Sequence, residues 1–304
     1  MKKFKLITCA DHPGLPEWVY PELQKYSEGP IKRVYNYPNS DKEIIENINN
    51  ADCSLVSWNT LINSKVIAQS KNLKYIGMCC SLIDENSANV DVPFARKNGI
   101  TVKGVRDYGD EGVIEFILSE LIRLLKGTGR YQWKEDQVEL GNQKIGIIGM
   151  GTTGTMLARA ALFFKMNVFY FSRNRKPEME KLGCTYLPLD ELLSTVDILS
   201  LHLPKNNELL QKEHFAQLGN WKILINTTLG LSFNKPAFIS WMKHPNNYAI
   251  MDESGMGTHS KEFQEMDRFI STSKTSGFTY EAKNRLGQKV IENIQSYLKE
   301  NEQI

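Results

Sequence analysis

The chain has 304 residues, of which 41% are hydrophobic and 24% charged, and its formal net charge is +2. This length suits two domains, and the nearly neutral charge excludes the strong positive field with which proteins attract nucleic acids or anionic membranes. From the short apolar runs we expect neither a membrane span nor a secretory signal. The five cysteines form no CxxC pair, so we expect reduced thiols in a cytoplasmic protein.

The first hundred residues alternate short apolar runs, typical of strands, with helical segments. The pattern predicts helices at 41–50, capped by Asp41, and near 91–97. The apolar runs predict strands at 5–10, 32–37, 54–58, 73–78 and 100–105. Alternation of this kind indicates parallel strands in a layered α/β domain.

A long helix is predicted at 111–126, and it is apolar around most of its circumference. A helix of this kind must be buried on more than one side, so we expect it at an interface between domains or between subunits, and we predict a homodimer.

The second half contains a further series of buried-strand candidates separated by helical segments. These strands are predicted at 144–149, 167–171, 197–203, 222–226, 248–252 and 268–272, and an amphipathic helix at 279–299 closes the chain. The fold class predicted is therefore α/β with two Rossmann-like domains. We expect a doubly wound parallel-sheet domain (106–278) inserted into a smaller flavodoxin-like domain (1–105 and 279–304).

A glycine-rich loop with the spacing GxGxxG follows the strand that begins at residue 144. Gly149 suits the tight turn, Gly151 the close approach of a pyrophosphate, and Gly154 the packing of helix on strand. Together with Thr152 and Thr153, these residues begin a helix whose free N–H groups bind anions. The strand before the loop and the helix after it make a dinucleotide site the favoured interpretation over a purely structural turn.

The residue expected to contact the adenosine ribose is a serine. An NAD site places Asp or Glu there, whereas this chain has Ser172 followed by Arg173 and Arg175. Guanidinium groups bind phosphate strongly, so NADP(H) is favoured and NAD(H) remains possible. The alternative is a solvated basic turn without a ligand.

Several segments, in order along nearly the whole chain, resemble those of the D-isomer-specific 2-hydroxyacid dehydrogenase family, which includes phosphoglycerate dehydrogenase and glyoxylate/hydroxypyruvate reductase. They are NVD at 89–91, GVIEF at 112–116, ELGNQKIGIIGMG at 139–151, LHLP at 201–204, LINTTLG at 224–230, and Asp252. The resemblance implies hydride transfer between a nicotinamide and a small carbonyl or hydroxy compound, with 106–278 as the NAD(P)-binding domain and 1–105 with 279–304 as the substrate domain. It also implies cofactor contacts at Leu203, Pro204, Thr227, Thr228 and Asp252, and substrate contacts at Cys79, Cys80 and Ser81, in a loop after a strand.

The arginine, glutamate and histidine of the family's mechanism are not kept. Leu229 stands at the arginine position, Lys274 stands at the histidine position, and the glutamate expected about five residues after Asp252 is absent. Leucine cannot clamp a carboxylate, but a lysine ammonium can donate a proton or orient a substrate. We therefore predict an oxidoreductase acting on a carbonyl or imine group with Lys274 as its catalytic residue. The alternative is a non-catalytic NADP(H)-binding sensor or interaction protein, and no ligand spacing for a metal is evident.

Overall fold

In a computed structural model, the chain divides into two compact units, unit 1 (Met1–Tyr108 with Thr279–Ile304) and unit 2 (Gly109–Phe278). The structure describes residues 2–205 and 207–301. The first change of unit lies three residues after the expected boundary, because Arg106 and Tyr108 remain bonded within unit 1. The Arg106 side chain donates to the Leu82 carbonyl, and Arg285 donates to the Tyr108 carbonyl.

Unit 1 contains a parallel four-stranded sheet in the order β1-β2-β3-β4. Its strands are β1 (Ile7–Cys9), β2 (Cys53–Val56), β3 (Tyr75–Ser81) and β4 (Thr101–Val105). Its helices are α1 (Val19–Gln24), α2 (Asp41–Ile48), α3 (Ser64–Gln69), α4 (Val92–Lys97) and α13 (Tyr280–Glu300). As expected, the closing helix α13 packs on this unit, against β3 and β4.

The predicted strand at 32–37 is wrong, because only one bridge forms there, between Thr8 and Lys32. The run lies between Pro30 and Pro38, which lack N–H groups, and the Tyr35 ring is mostly exposed, so little favours a longer ladder. The segment still runs beside β1, at the outer position that a flavodoxin-like sheet assigns to its second strand.

The predicted cap of α2 is also corrected. Ser40 is the N-cap, with its hydroxyl accepting from the Glu43 N–H, and Asp41 is the first helical residue. Both side chains suit the N-terminus, so the sequence pattern does not decide between two adjacent caps.

Unit 2 is built on a seven-stranded parallel sheet in the order β11-β10-β9-β8-β5-β6-β7. The chain builds the sheet outward from β5 in one direction and then in the other, as in a doubly wound fold. The strands are β5 (Lys144–Ile148), β6 (Asn167–Phe171), β7 (Thr185–Tyr186), β8 (Ile198–Leu201), β9 (Ile223–Asn226), β10 (Tyr248–Met251) and β11 (Phe269–Ser271). The helices are α5 (Asp110–Lys126), α6 (Thr152–Phe163), α7 (Pro177–Glu180), α8 (Leu189–Thr195), α9 (Lys212–Leu218), α10 (Lys235–Met242), α11 (Glu253–Met256) and α12 (Ser260–Gln264), with a 3-10 turn at Gly257–His259.

The two parallel sheets confirm the predicted α/β class with two Rossmann-like domains. In unit 2, strands β5, β8, β9 and β10 are buried almost throughout, which explains their continuous apolar sequence. No helix in the described part of the chain is long and apolar enough to cross a bilayer.

Candidate functional site

The glycine loop that joins β5 to α6 is closely packed against neighbouring backbone. Gly149 has φ +95°, and a Cβ there would lie 2.1 Å from the His202 carbonyl oxygen. A Cβ on Gly154 would lie 2.0 Å from the Gly149 carbonyl oxygen. Both contacts are shorter than any real Cβ contact, so glycine is required at each position.

The N-terminus of α6 is open to a ligand. Its N-cap, Gly151, makes no side-chain cap, and a Cβ there would meet nothing within 4 Å. Thr152 is exposed, and the Thr153 hydroxyl donates to the carboxylate of Asp110 at the start of α5. Free N–H groups beside open space fit a pyrophosphate, so these residues match the dinucleotide that the loop predicts.

The basic turn after β6 contains the three residues expected to contact the adenosine ribose and its 2′-phosphate. The Ser172 hydroxyl donates to the Asn174 carbonyl at 2.9 Å. Arg173 is exposed, and among residues 2–205 and 207–301 it has no hydrogen bond or ion pair. Arg175 is instead bonded to Glu180, at 3.0 Å and 2.6 Å. The two guanidinium groups are therefore not equivalent.

Strand β8 is the neighbour of β5 in the sheet, and it is followed by His202, Leu203 and Pro204. The His202 N–H donates to the Ile148 carbonyl, and its Nε2 lies 2.9 Å from the Ser200 hydroxyl. Burial lowers the pKa of His202 to about 4, so its imidazole is neutral at physiological pH and is no general acid there. Leu203 and Pro204 are partly buried.

Three loops at the carboxyl ends of β9, β10 and β11 are bonded to one another. The Asn226 amide donates to the carbonyls of Gly230 and Gly255, and the Thr228 hydroxyl lies 2.8 Å from the Asn226 side-chain oxygen. The Asp252 carboxylate accepts from the Gly255 N–H. These bonds hold the loops in a fixed arrangement.

The third loop joins this network through Asp252 and the residues around Lys274. The same carboxylate accepts from the N–H and hydroxyl of Ser276, at 2.8 and 2.7 Å, and Asp252 is 1% exposed. The Glu253 N–H donates to the Lys274 carbonyl. Asn226 and Ser276 were not predicted from the sequence, because an isolated Asn or Ser gives no pattern until the loops are folded together.

Leu229 and Lys274 lie on these bonded loops with their side chains toward solvent. Leu229 is 41% exposed, although leucine is normally buried. Lys274 is exposed, and within the described chain no carboxylate pairs with its ammonium. Thr227 is partly buried, whereas Thr228 is 7% exposed and turned into the network. Rigid loops thus present one apolar and one cationic side chain.

The predicted substrate residues of unit 1 are placed differently from the expectation. Cys79 and Cys80 belong to β3 rather than to the loop after it, and both thiols are buried. Burial raises the pKa of Cys79 well above its ordinary value, which makes it an unreactive core thiol. Only Ser81, at the strand end, is partly exposed. Among the described residues, no group of His, Cys, Asp and Glu side chains is arranged to hold a metal ion.

Comparison with known proteins gives one family. The family model described as D-isomer specific 2-hydroxyacid dehydrogenase, NAD binding domain, matches residues 119–274. The chain is 24% identical over 284 residues to a hydroxypyruvate reductase of Blautia hydrogenotrophica, covering 85% of each chain. It is 26% identical over 282 residues to a glyoxylate reductase of Korarchaeum cryptofilum, covering 84% of this chain and 82% of the relative.

Solved structures extend the similarity to the whole chain. An acyclic imino acid reductase in complex with NADPH and D-Arg superposes with a TM-score of 0.82 and 26% identity, over 97% of both chains. The fold of both units therefore occurs in an experimental structure with a similar sequence.

Proposed function

The chain belongs to the D-isomer-specific 2-hydroxyacid dehydrogenase family, and on that premise we propose that it is an NADPH-dependent reductase of a small carbonyl or imine compound. The observation that carries this proposal is an unpaired ammonium, that of Lys274, on loops bonded to the carboxyl ends of the cofactor-domain strands. Family membership makes the chain a nicotinamide-dependent oxidoreductase. The preference for NADPH and the role of Lys274 are our proposals.

We assign the following roles to the residues that would bind the cofactor. The N–H groups of Gly151–Gly154 hold the pyrophosphate, and Ser172 with Arg173 holds the adenosine 2′-phosphate. Leu203 and Pro204 line the cofactor, and the bonded loops with Thr227, Thr228 and Asp252 hold the nicotinamide end. These backbone groups lie at the N-cap and in the first turn of α6.

The chemistry at the reacting atoms requires a hydride and a proton. The cofactor, when bound, supplies the hydride. Lys274 donates the proton to the carbonyl oxygen or imine nitrogen. The neutral His202 leaves this role to Lys274. The similarity to an acyclic imino acid reductase supports the inclusion of imines.

A non-catalytic NADP(H) sensor is the second candidate, because the arginine and histidine positions of the family hold Leu229 and Lys274. Such a protein would bind NADPH tightly and reduce no carbonyl or imine compound in a broad panel. We also propose that the protein works in a reducing compartment such as the cytoplasm, since all five cysteines are buried free thiols.

The first prediction concerns the cofactor. We expect a lower Kd for NADPH than for NADH, and Arg173→Ala should raise the Kd for NADPH about tenfold, because a charge-assisted bond to the 2′-phosphate is lost. Fluorescence titration with both cofactors measures this. Arg159→Ala, an exposed arginine of α6, is the matched control, and equal Kd values for the two cofactors in the wild type would contradict the proposed preference.

The second prediction concerns assembly. Helix α5 leaves Val113, Phe116, Leu118 and Ile122 only partly buried, and we propose that a second copy covers them in a homodimer. Sedimentation should give a dimer at micromolar concentration, and Phe116→Asp should shift it to the monomer, because a charge would enter an apolar interface. Ser119→Asp, at an exposed position of the same helix, should have a smaller effect. A monomeric wild type would refute the dimer.

A further inference from the structure

Two of the three guanidinium nitrogens of Arg175 are bonded to a carboxylate, although the side chain is 64% exposed. Its Nε donates to Oε1 of Glu180 at 3.0 Å and its Nη2 to Oε2 at 2.6 Å, a bidentate pair. The guanidinium also lies over the Tyr186 ring, 5.2 Å from the centroid. The paired carboxylate offsets much of the positive charge that this guanidinium would offer a phosphate.

Glu180 cannot easily turn away, because a buried tyrosine fixes it. The Tyr170 hydroxyl donates to Oε1 of Glu180 at 2.7 Å and accepts from the Lys176 N–H at 2.7 Å. Tyr170 itself is 0% exposed, in the middle of β6. Bonds from Arg175 and Tyr170 hold the pKa of Glu180 below its ordinary value, so the carboxylate stays charged.

Arg173, two residues earlier, is exposed like Arg175 but is bonded differently. It has no ionic or hydrogen-bond partner in the described ranges. A 2′-phosphate could therefore pair with Arg173 without breaking an existing bond. To pair with Arg175 it would have to compete with a carboxylate fixed in place, and its own negative charge would be repelled by that carboxylate.

We propose that Glu180 withholds Arg175 from the 2′-phosphate, so that Arg173 alone provides the cationic contact and Glu180 limits the discrimination between NADPH and NADH. This inference rests on the proposed NADP(H) preference. It makes Glu180 a specificity-determining residue that acts through Arg175, and Tyr170 the residue that positions it.

The test removes the charge of Glu180 and keeps its shape. Glu180→Gln should lower the Kd for NADPH about three- to tenfold, because the released guanidinium gains a phosphate partner, while the Kd for NADH stays within about twofold. Arg175→Ala in the wild type should leave the ratio of the two Kd values nearly unchanged. The same substitution in the Glu180→Gln background should abolish the gain, and this double-mutant cycle assigns the effect to the pair.

Glu178→Gln is the matched control, since it removes the same charge from the same short helix at a residue that does not contact Arg175. A rise in the Kd for NADPH with Glu180→Gln would mean that Glu180 presents Arg175 to the phosphate, and would overturn the inference. The inference would also be overturned if Glu180→Gln left the Kd for NADPH unchanged, or if its gain in NADPH affinity were no larger than that of Glu178→Gln. A selective loss of NADPH affinity in the single variant Arg175→Ala would overturn it as well. A wild type without any NADPH preference would remove the proposed cofactor preference together with the inference, whereas the other outcomes leave that preference standing.

Discussion

Replacing Lys274 with methionine should lower kcat by about 10²–10⁴-fold and leave the Kd for NADPH within about twofold of the wild-type value. The expectation follows from where the residue lies. Its ammonium is exposed on a loop after β11, whereas the proposed pyrophosphate and 2′-phosphate contacts belong to the first turn of α6 and the turn after β6. Methionine keeps most of the length of lysine and removes only the proton and the charge.

Steady-state kinetics over a panel of carbonyl and imine compounds, together with NADPH titration, measures the two effects separately. Lys261→Met, at an exposed lysine of α12, controls for the loss of one surface charge and should leave kcat unchanged. Normal turnover by the Lys274 variant would refute the proposed proton donor. If no compound in the panel is reduced while NADPH binds tightly, the sensor hypothesis replaces the enzyme.

The parts of the molecule that could be predicted from sequence are those determined by local rules. The loop from Gly149 to Gly154 was recognisable because the spacing of its glycines is visible in the sequence itself, and a Cβ at Gly149 or Gly154 would clash with the backbone. The continuous apolar strands of unit 2 were recognisable because both faces of their sheet are buried.

The parts that could not be predicted depend on partners distant in space or on small differences in strand length. Arg173 and Arg175 are chemically identical in the sequence, and only the folded positions of Glu180 and Tyr170 distinguish them. Cys79 was expected in a loop, but β3 extends to Ser81 and buries its thiol. The periodicity of apolar residues does not locate the end of a strand to within a few residues. Those few residues nevertheless decide whether a side chain contacts a ligand or packs in the core.

The wild-type protein should be a poor catalyst for glyoxylate, pyruvate and hydroxypyruvate, with kcat/KM hundreds-fold or more below that of its own substrate. The reason is Leu229, which offers no charge to a substrate carboxylate where an arginine would form a bidentate pair, and losing a desolvated charge partner typically costs several kcal/mol. Leu229→Arg should then raise kcat/KM for glyoxylate by about 10- to 100-fold, since a large part of that stabilisation is restored. The side chain is 41% exposed and the next residue is Gly230 at φ +94°, so a longer side chain fits without repacking the loop.

NADPH oxidation assays with each acid measure the change, and Leu182→Arg, at another exposed leucine, controls for a general gain of positive charge. Efficient turnover of glyoxylate by the wild type would show that a different cation holds the carboxylate. A Leu229→Arg variant that gains nothing while its NADPH affinity is intact would show that position 229 does not face the substrate. A gain in kcat/KM for glyoxylate with Leu229→Arg and not with Leu182→Arg would identify Leu229 as the reason the chain differs in substrate from the 2-oxo acid reductases of its family. The loops that fix Leu229 would then present a neutral surface where those enzymes bind a carboxylate.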